Sequence, residues 1–448
     1  MKQIAFIISL LFIVSYLSVC AVEIEYELIS KYPDGSAVGY SFPSDISSDG
    51  RYVLFYSHEN GIVDDDTNRE KSVGETFLGP LKFTYGYDQF LYDRESGEIE
   101  RVSVKEDGSQ MLKANALYGQ LSPDASAVAY ISNVTDAIPS IQNIYLENIY
   151  HYDRVKNKLT FTNLYDDNKI LSMGYTFKFF NNAKILCRSK DPLIIPESQE
   201  FLDWGFFIYD IEKGQLGDYW RNDQGAPLYG RPSEFDISDD GRFIVFTKNI
   251  TDFKSPIMAY LYDRESREVK LLSADEEGNE ANADVRFLTI SGDGRYIFFF
   301  SNATNISPET VLVFDGKPVT WNLYILDRIE QALEVVPMQN EFGALLNEGW
   351  NNVKMTKNGR YLFFARQKNI YRYDRETQKA ILVVSHPYMS VSSWFYPSYD
   401  GSNVAFSVGY PLVPEDESEI SLPATYWGHD VYVATINEES AAANWECY

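Results

Sequence analysis

A run of acidic residues in the first quarter of the sequence could bind a metal ion. Asp64, Asp65 and Asp66 are consecutive, and Thr67, Asn68 and Glu70 add further oxygen-bearing side chains. Carboxylate and amide oxygens grouped in this way suit Ca²⁺, which makes calcium the one cofactor that the sequence suggests. The twelve-residue EF-hand pattern, with its central glycine and terminal glutamate, is missing. A solvated acidic loop is therefore the competing interpretation.

The chain contains only four histidines, and three of them are candidates for a second metal site. His58, His386 and His429 are predicted to lie in loops at one end of the fold, whereas His151 is predicted to pack within a strand. Imidazole groups combined with carboxylates could hold a transition metal, and a hydrolase or lyase could use that metal. No His-x-x-x-His or similar short spacing supports such a site, so scattered surface histidines are the alternative.

Aromatic side chains in the same loops could bind a glycan or a peptide. The candidates are Trp204, Trp220, Trp350, Trp394, Tyr426 and Trp427. Exposed aromatic rings offer a flat apolar surface to a ligand, whereas the alternative is that most of these rings pack between sheets. The sequence has no Gly-x-Ser-x-Gly, no His-Glu-x-x-His, no phosphate-binding glycine loop and no dinucleotide fingerprint, which disfavours enzymes built on those motifs.

A repeated turn-and-strand pattern defines the elements that must position these residues. Its first half is an Asp-Gly or Asn-Gly turn followed by Arg, an aromatic residue and an apolar run. Such turns are strong hairpin signals because their residues tolerate positive φ. The clear copies occupy residues 48–55, 239–246, 292–299 and 357–364, and weaker copies begin at residues 123, 181 and 399.

The second half of the repeat is a strand that ends in an aspartate followed by a polar turn. The copies are Tyr92-Asp93-Arg94, Tyr152-Asp153-Arg154, Tyr209-Asp210-Ile211, Tyr262-Asp263-Arg264, Leu326-Asp327-Arg328 and Tyr373-Asp374-Arg375. An aspartate beside an arginine could act in catalysis. A motif that recurs in this way is better explained by an aspartate that hydrogen-bonds the backbone of its own turn.

The two halves together predict an all-β fold, a seven-bladed β-propeller with four-stranded antiparallel blades. Seven first hairpins are present but only six complete second hairpins, because no strand follows the one predicted at residues 430–436. Residues 24–30 have the pattern of the missing outer strand. We therefore expect this N-terminal strand to close the last blade and to cover its free edge.

The full pattern, Ser-x-Asp-Gly-Arg-Tyr with an apolar run and a later Tyr-Asp-Arg-x-x-Gly, resembles the repeat of the TolB-like (WD40-like) β-propeller family. It is especially similar to secreted bacterial propellers whose blades contain Ser-Ala-Thr-Asn-Leu and Asp-Thr-Asn; this chain has these pieces at residues 301–306 and 66–68. The Gly-His and Trp-Asp signatures of WD repeats do not recur along the chain. The resemblance covers nearly all of the predicted mature chain and implies the fold, but propellers carry binding, hydrolase and lyase functions alike.

The first 21 residues predict export from the cell. Lys2 precedes an apolar segment at residues 4–16 that has the length of a signal peptide and is short for a membrane span. We therefore expect residues 1–21 to be a signal peptide, residues 22–448 to form a single propeller domain, and the protein to be secreted or periplasmic. A lipid anchor on Cys20 is the less favoured alternative, because Val19 stands where a lipobox has a small residue.

Charge and loop length indicate the kind of partner. The formal net charge of −26 disfavours nucleic acid. Connections predicted on one face are long, notably residues 57–87 and 408–428, and long insertions on one face of a repeat protein often bind partners. The sequence therefore predicts a binding protein whose acidic, long-loop face takes a protein or glycan partner. A metal-dependent hydrolase or lyase with its site on the same face is the alternative.

Overall fold

Among the residues that it describes, the computed structural model of the 448-residue chain contains 34 β-strands and no helix. The described residues are 22–67, 71–76, 79–84, 86–111, 115–132, 137, 148–162, 164–165, 169–170, 173–189, 205–217, 234–249, 256–307, 313–314, 317–318, 321–336, 350–366, 368–385, 394–414, 416 and 429–438. Within these ranges no helical segment is long and apolar enough to cross a membrane. The predicted all-β class is confirmed.

Seven four-stranded antiparallel sheets form the blades of a β-propeller, as predicted. Blade 1 contains Ser41–Ile46, Tyr52–Ser57, Asp88–Asp93 and Ile99–Arg101, and blade 2 contains Ala116–Leu121, Ala127–Ser132, Asn148–Asp153 and Lys158–Phe161. Blade 3 contains Met173–Asn181, Lys184–Ser189, Gly205–Asp210 and Gln215–Leu216, and blade 4 contains Phe235–Ile237, Phe243–Asn249, Ile257–Asp263 and Glu268–Leu271. Blade 5 contains Val285–Ile290, Tyr296–Ser301, Asn322–Asp327 and Ala332–Val336, and blade 6 contains Trp350–Met355, Tyr361–Arg366, Asn369–Asp374 and Lys379–Ser385. Blade 7 contains Phe395–Pro397, Asn403–Val408, Asp430–Asn437 and Glu23–Leu28, and in every blade the first strand named is the inner one, next to the central channel.

Three further two-stranded hairpins are described in the long connections between strands. They pair Lys71–Thr76 with Gly79–Thr84, Leu164–Tyr165 with Lys169–Ile170, and Val313–Phe314 with Lys317–Pro318. These hairpins belong to blade 1, to the connection between blades 2 and 3, and to blade 5. The insertions that the sequence predicts in these blades therefore carry secondary structure of their own.

The N-terminal strand closes the propeller. Glu23–Leu28 pairs antiparallel along its whole length with Asp430–Asn437, the third strand of blade 7. Directly after the strand, the amide of Ile29 donates to the carbonyl of Val431 at 2.8 Å. The predicted closure is confirmed, and the edge of the last blade is covered by the start of the described chain.

The first turn of each regular blade is held by an aspartate and a glycine. In blade 1, Ser47 Oγ donates to Asp49 Oδ1 at 2.6 Å, and the amide of Arg51 donates to the same oxygen at 3.0 Å. Gly50 has φ +75°, a left-handed conformation that costs glycine little. The same serine and aspartate arrangement recurs in blades 4, 5 and 7.

The Tyr-Asp-Arg motif joins the two turns of a blade. Arg51, after the first turn, donates two hydrogen bonds to Asp93 of the second turn, at 2.8 and 2.6 Å. Equivalent pairs are Arg242 with Asp263, Arg295 with Asp327, and Arg360 with Asp374. Asp93 also accepts the amide of Glu95 at 3.0 Å, which confirms that this aspartate bonds its own turn. Both turns lie at one end of the propeller, which we call the turn end; the long connections lie at the other, the loop end.

The hydrophobic core lies between neighbouring blades. Leu54 and Leu91 of blade 1, for example, pack with Val128, Tyr130 and Tyr150 of blade 2. Stacked aromatic pairs between the second and third strands recur in six blades. This sheet-on-sheet packing holds the seven inner strands around a common axis.

Candidate functional site

Seven register-equivalent side chains, one from each inner strand, surround the central channel. Each lies opposite the third residue of the second strand in its own blade. In order from blade 1 to blade 7 they are Asp45, Gln120, Lys178, Asp236, Thr289, Lys354 and Tyr396. All seven line one cavity of about 560 Å³, a volume typical of small-molecule sites. We call these seven residues the channel ring.

Two members of the channel ring connect neighbouring blades through the backbone. Asp45 Oδ2 accepts the amide of Leu121 at 2.9 Å. The side-chain amide of Gln120 donates to the carbonyl of Phe177 at 2.7 Å, and its oxygen accepts the amide of Phe179 at 3.2 Å. Inner strands are sheet edges, so these side chains satisfy backbone groups that no further strand pairs.

Asp236 is held by partners from two other blades. Thr289 Oγ1 donates to Asp236 Oδ2 at 2.6 Å. Lys357 Nζ lies 3.3 Å from Asp236 Oδ1 and donates to the carbonyl of Ile237 at 3.0 Å. Burial opposes the charge of Asp236, but Lys357, Lys178 and the Thr289 hydroxyl outweigh burial and lower the pKa of this carboxyl to about 2. The ion pair ties blade 6 to blade 4, which is not its neighbour.

Lys178 and Lys354 are the two ammonium groups of the channel ring, and both side chains are half-buried. Lys354 Nζ lies 3.6 Å from the centre of the Tyr396 ring, a cation–π contact. Burial and the positive charge of Lys178 lower the pKa of Lys354 to about 7. Burial also raises the pKa of Tyr396, so its hydroxyl keeps its proton. Lys354 is therefore a group whose charge changes near neutral pH.

At the turn end of the channel, backbone hydrogen bonds link blades directly. The amide of Ser48 donates to the carbonyl of Pro123 at 3.1 Å, and the amide of Asp239 donates to the carbonyl of Gly292 at 2.8 Å. Further bonds of this kind run from Gly292 to Lys357, from Asn358 to Tyr399 and from Tyr399 to Ser48. A Cβ on Gly292 would lie 2.1 Å from Asp239 Oδ2, so any larger residue at this position requires the Asp239 carboxyl group to move.

Two exposed aromatic side chains, Tyr118 and Trp394, lie at the loop end of the channel. They sit at or just before the start of the inner strands of blades 2 and 7, and they are 50% and 41% exposed. Their ring centres are 6.4 Å apart. Tyr118 has φ +53° at a β-bulge, a feature that redirects a side chain. We call these two residues the aromatic pair, and their exposure beside a cavity marks a candidate binding surface.

The histidines that the sequence singles out have different surroundings. The His58 ring lies 4.9 Å from that of Tyr40 and 5.2 Å from that of Tyr87. The His429 ring lies 5.6 Å from a phenylalanine ring. In the part of the chain that the structure describes, no three His, Cys, Asp or Glu side chains are arranged to hold a metal ion. His386 lies outside that part, so the three-histidine metal site stays a prediction.

The acidic run is held against blade 1 by an arginine and a glutamine. Asp65 Oδ2 lies 2.6 Å from Arg101 Nη2, and Asp66 Oδ1 accepts Gln110 Nε2 at 3.1 Å. Asp64 and Asp65 are exposed, whereas Asp66 is buried, and burial raises the pKa of its carboxyl. A calcium ion bound by Asp65 and Asp66 would compete with the Arg101 guanidinium. Calcium binding by this run stays a prediction.

Several sequence candidates lie outside the described residues. They are His386, Trp204, Trp220, Tyr426, Trp427 and residues 68–70 of the acidic run. Of Trp350 only the backbone is described, at the start of the inner strand of blade 6. His151 is buried on the third strand of blade 2, as predicted, and burial lowers its pKa to about 4, which keeps the imidazole neutral.

The channel ring is the functional candidate that motif reasoning misses, although the sequence does contain a signal for it. In all seven blades the residue lies four positions before an Asp or Asn of the first turn, as Asp45 does before Asp49 and Lys354 before Asn358. This constant offset marks one position of each inner strand. Comparing the repeats position by position would therefore reveal the channel lining.

Fold and site together define the class: a seven-bladed β-propeller with a charged central channel and an aromatic pair at its loop end. No family model and no curated protein matches the chain. Solved structures similar to it include hydrazine synthase from Kuenenia stuttgartiensis, with 12% identity, a TM-score of 0.44, and coverage of 85% of this chain and 93% of that one. TolB from Acinetobacter baumannii has 14% identity, a TM-score of 0.38, and coverage of 80% and 78%. A chain of the mitotic checkpoint complex has 8% identity, a TM-score of 0.43, and coverage of 91% and 95%. Such distant likenesses carry no argument about function, and the propeller assignment rests on the blade topology.

Proposed function

We propose that this protein is a secreted or periplasmic binding protein of the TolB-like repeat family that takes a protein or glycan partner at its loop end. The observation that carries the proposal is the aromatic pair, Tyr118 and Trp394, exposed beside the channel cavity. Large aromatic rings supply much of the binding energy in recognition sites, because they bury a wide apolar surface and keep a polar edge.

The position of the aromatic pair supports binding at the loop end. The long connections of blades 1 and 5 emerge at this end and carry the hairpins that begin at Lys71 and Val313. The turn end, by contrast, repeats the same short turns and ion pairs from blade to blade. A surface that differs between blades can be specific for one partner, whereas a repeated surface has little to distinguish it.

Export is part of the proposal, and the position of the closing strand is compatible with it. The closing strand starts at Glu23, so cleavage after Ala21 would leave all of Glu23–Leu28 in place. Terminal sequencing of the exported protein tests this, with Val22 as the expected first residue. The alternative of a metal-dependent hydrolase or lyase depends on His386, and no geometry among the described residues favours it.

The experiment compares exposed aromatic residues at the two ends of the channel. Trp394→Ala and Tyr118→Ala alter the loop end, whereas Tyr399→Ala alters a residue at the turn end that is 38% exposed. Wild-type protein is first screened against an oligosaccharide array and a displayed peptide library, and the affinity of the best probe is then measured for each variant. We expect about a 10-fold or greater loss for Trp394→Ala, a smaller loss for Tyr118→Ala, and no change for Tyr399→Ala. Equal affinity of wild type and the Trp394→Ala, Tyr118→Ala double variant would refute this site.

A further inference from the structure

Two lysines face the same cavity from blades that lie far apart around the axis. Lys178 belongs to the inner strand of blade 3 and Lys354 to that of blade 6, at equivalent positions of the channel ring. Among the described residues, neither ammonium group makes a hydrogen bond or an ion pair; the contact of Lys354 is with the Tyr396 ring. We propose that the channel ring binds a small organic anion, a carboxylate or a phosphate ester, between Lys178 and Lys354.

The carboxylates of the channel explain why the ligand should be an anion. Three of them already have partners: Asp45 accepts the amides of Leu121 and Ile46, Glu234 accepts the amide of Leu288, and Asp236 is bound by Thr289 and Lys357. The fourth, Asp239, lies at the turn end near the charge of Lys357. The carboxyl groups of the channel are thus hydrogen-bonded or ion-paired within the protein, or lie near Lys357. The two ammonium groups, by contrast, have no hydrogen-bond acceptor among the described residues, and a bound anion would supply one.

The cavity offers an anion more than charge. Its volume of about 560 Å³ accommodates a small metabolite. The Tyr396 hydroxyl borders the same cavity and has no hydrogen-bond partner among the described residues, so it can donate to a bound oxygen atom. Two ammonium groups and a phenol give a donor set for one carboxylate or phosphate group, with charge-assisted hydrogen bonds from both lysines.

The electrostatics of the channel predict that a bound anion is accompanied by proton uptake. Lys354 faces the charges of Lys178, Asp45 and Asp236 as well as the Tyr396 ring, and burial together with Lys178 brings its pKa to about 7. An anion placed between the lysines favours the protonated form of Lys354 and raises its pKa. Affinity should therefore fall as the pH rises above about 7. This site does not depend on the aromatic pair, and it adds a small ligand to the partner proposed above.

The test is calorimetric titration of the mature protein with sodium succinate and, separately, inorganic phosphate, at pH 6.5 and constant ionic strength set with NaCl. The variants are Lys178→Met and Lys354→Met, singly and together. The matched control is Lys270→Met, an exposed lysine on the outer strand of blade 4. We expect saturable binding of at least one probe to wild type and to the control. The affinity should fall by about 10-fold or more in each single variant, and the double variant should show no saturable binding.

Each outcome decides the proposal. Binding of succinate alone identifies a carboxylate site, and binding of phosphate alone identifies a phosphate site. Lack of saturable binding of both probes to wild type, or unchanged binding in the double variant, overturns it. If a variant fails to fold, wild type is titrated at pH 7.5 in buffers of different ionisation enthalpy: net proton uptake supports the site, and binding without uptake contradicts the position of the anion beside Lys354.

Discussion

One strand of blade 1, Asp88–Asp93, has an aspartate at each end. The fold shifts the pKa values of the two carboxyl groups in opposite directions. At the turn end, the hydrogen bonds from Arg51 lower the pKa of Asp93 to about 2. At the loop end, burial raises the pKa of Asp88 to about 7, although Ser103 and Gln110 donate hydrogen bonds to it. One end therefore keeps its carboxylate charged at the surface, and the other holds a carboxyl group inside the protein.

Blade 7 shows the same loop-end chemistry at the equivalent position. Asp430 begins the third strand there, and burial raises its pKa to about 6 while it accepts the amide of Gly39 at 2.7 Å. The difference between the ends follows from the repeat. The turn end is specified by a short local motif that recurs in most blades, whereas the loop end is assembled from residues far apart in sequence. Chemistry specific to this protein should therefore be sought at the loop end and in the channel.

Glycine substitutions should separate the two ends most strongly. Gly50, at the turn end, has φ +75°, and a Cβ there would lie 2.6 Å from Asn403 Nδ2 of blade 7. Gly61, in a loop-end connection, has φ +84°, but nothing lies within 4 Å of such a Cβ. We expect Gly50→Ala to lower the free energy of unfolding by about 3 kcal/mol, from strain and overlap, and Gly61→Ala by about 1 kcal/mol, from strain alone. Urea unfolding measures both, and equal losses would show that the ends are packed alike.

Replacing Arg101 tests the buried charge at the loop end. This side chain is buried, lies 2.6 Å from Asp65 Oδ2, and comes within 3.9 Å of the buried Asp66. Arg101→Met leaves the Asp66 carboxyl without its cation, so we expect a loss of about 2–3 kcal/mol in the free energy of unfolding. Arg101→Lys keeps the charge and should lose less. If both variants were as stable as wild type, the buried Asp66 carboxyl would not need this arginine for stability.

The same variant tests the calcium hypothesis for the acidic run. If Asp64, Asp65 and Asp66 bind Ca²⁺, removal of the competing guanidinium of Arg101 should tighten binding in a calorimetric titration. Asp65→Asn in the Arg101→Met background is the control, since it removes one ligand. The absence of heat with millimolar Ca²⁺ in both wild type and Arg101→Met would rule the site out.

Asp88→Asn should alter how stability depends on pH. The folded pKa of Asp88, about 7, exceeds its ordinary value of 3.8, so its contribution is fully present below about pH 4 and is lost as the pH rises to about 7. Asparagine carries no charge, so the variant avoids the loss of stability that the ionisation of Asp88 causes. Its side chain forms weaker hydrogen bonds with Ser103 and Gln110. We expect the variant to be about 2 kcal/mol more stable than wild type at pH 8 and no more stable at pH 4. A constant difference in the free energy of unfolding between wild type and Asp88→Asn from about pH 4 to about pH 8 would contradict the assignment.

The fold could be predicted from the sequence because its determinants are local. In blades 1, 4 and 5 the first turn needs only Ser, Asp, Gly and Arg within five positions, as at residues 47–51, and closure needs one strand pattern near residue 24. Blade 3 departs from this rule, since Asn181 pairs directly with Lys184 in a tighter turn. The pairing of Arg51 with Asp93 joins residues 42 positions apart, so it depends on how the two turns meet in space.

The site was harder to predict because it belongs to the ring rather than to a blade. Lys178 and Lys354 each interrupt an apolar strand, and nothing near either residue in the sequence indicates that they share a cavity. Trp394 could be named from its type, but its exposure depends on neighbouring blades. Only the closed arrangement of all seven inner strands brings such residues together.

Arg51→Met should have the smallest effect on stability, because the ion pair that it removes lies at the surface of the turn end. The Arg51 side chain is 39% exposed, so solvent screens its pair with Asp93. We expect a fall of about 1–2 °C in melting temperature at pH 7, and less in 1 M NaCl. The lowered pKa of Asp93 provides stability that is present above about pH 4 and lost as the pH falls towards 2, so wild type and variant should converge there. The melting temperature of Arg51→Lys should lie between those of wild type and Arg51→Met. A fall larger than that of Arg101→Met would reverse the comparison and place the critical ion pairs of this propeller at the end where they repeat.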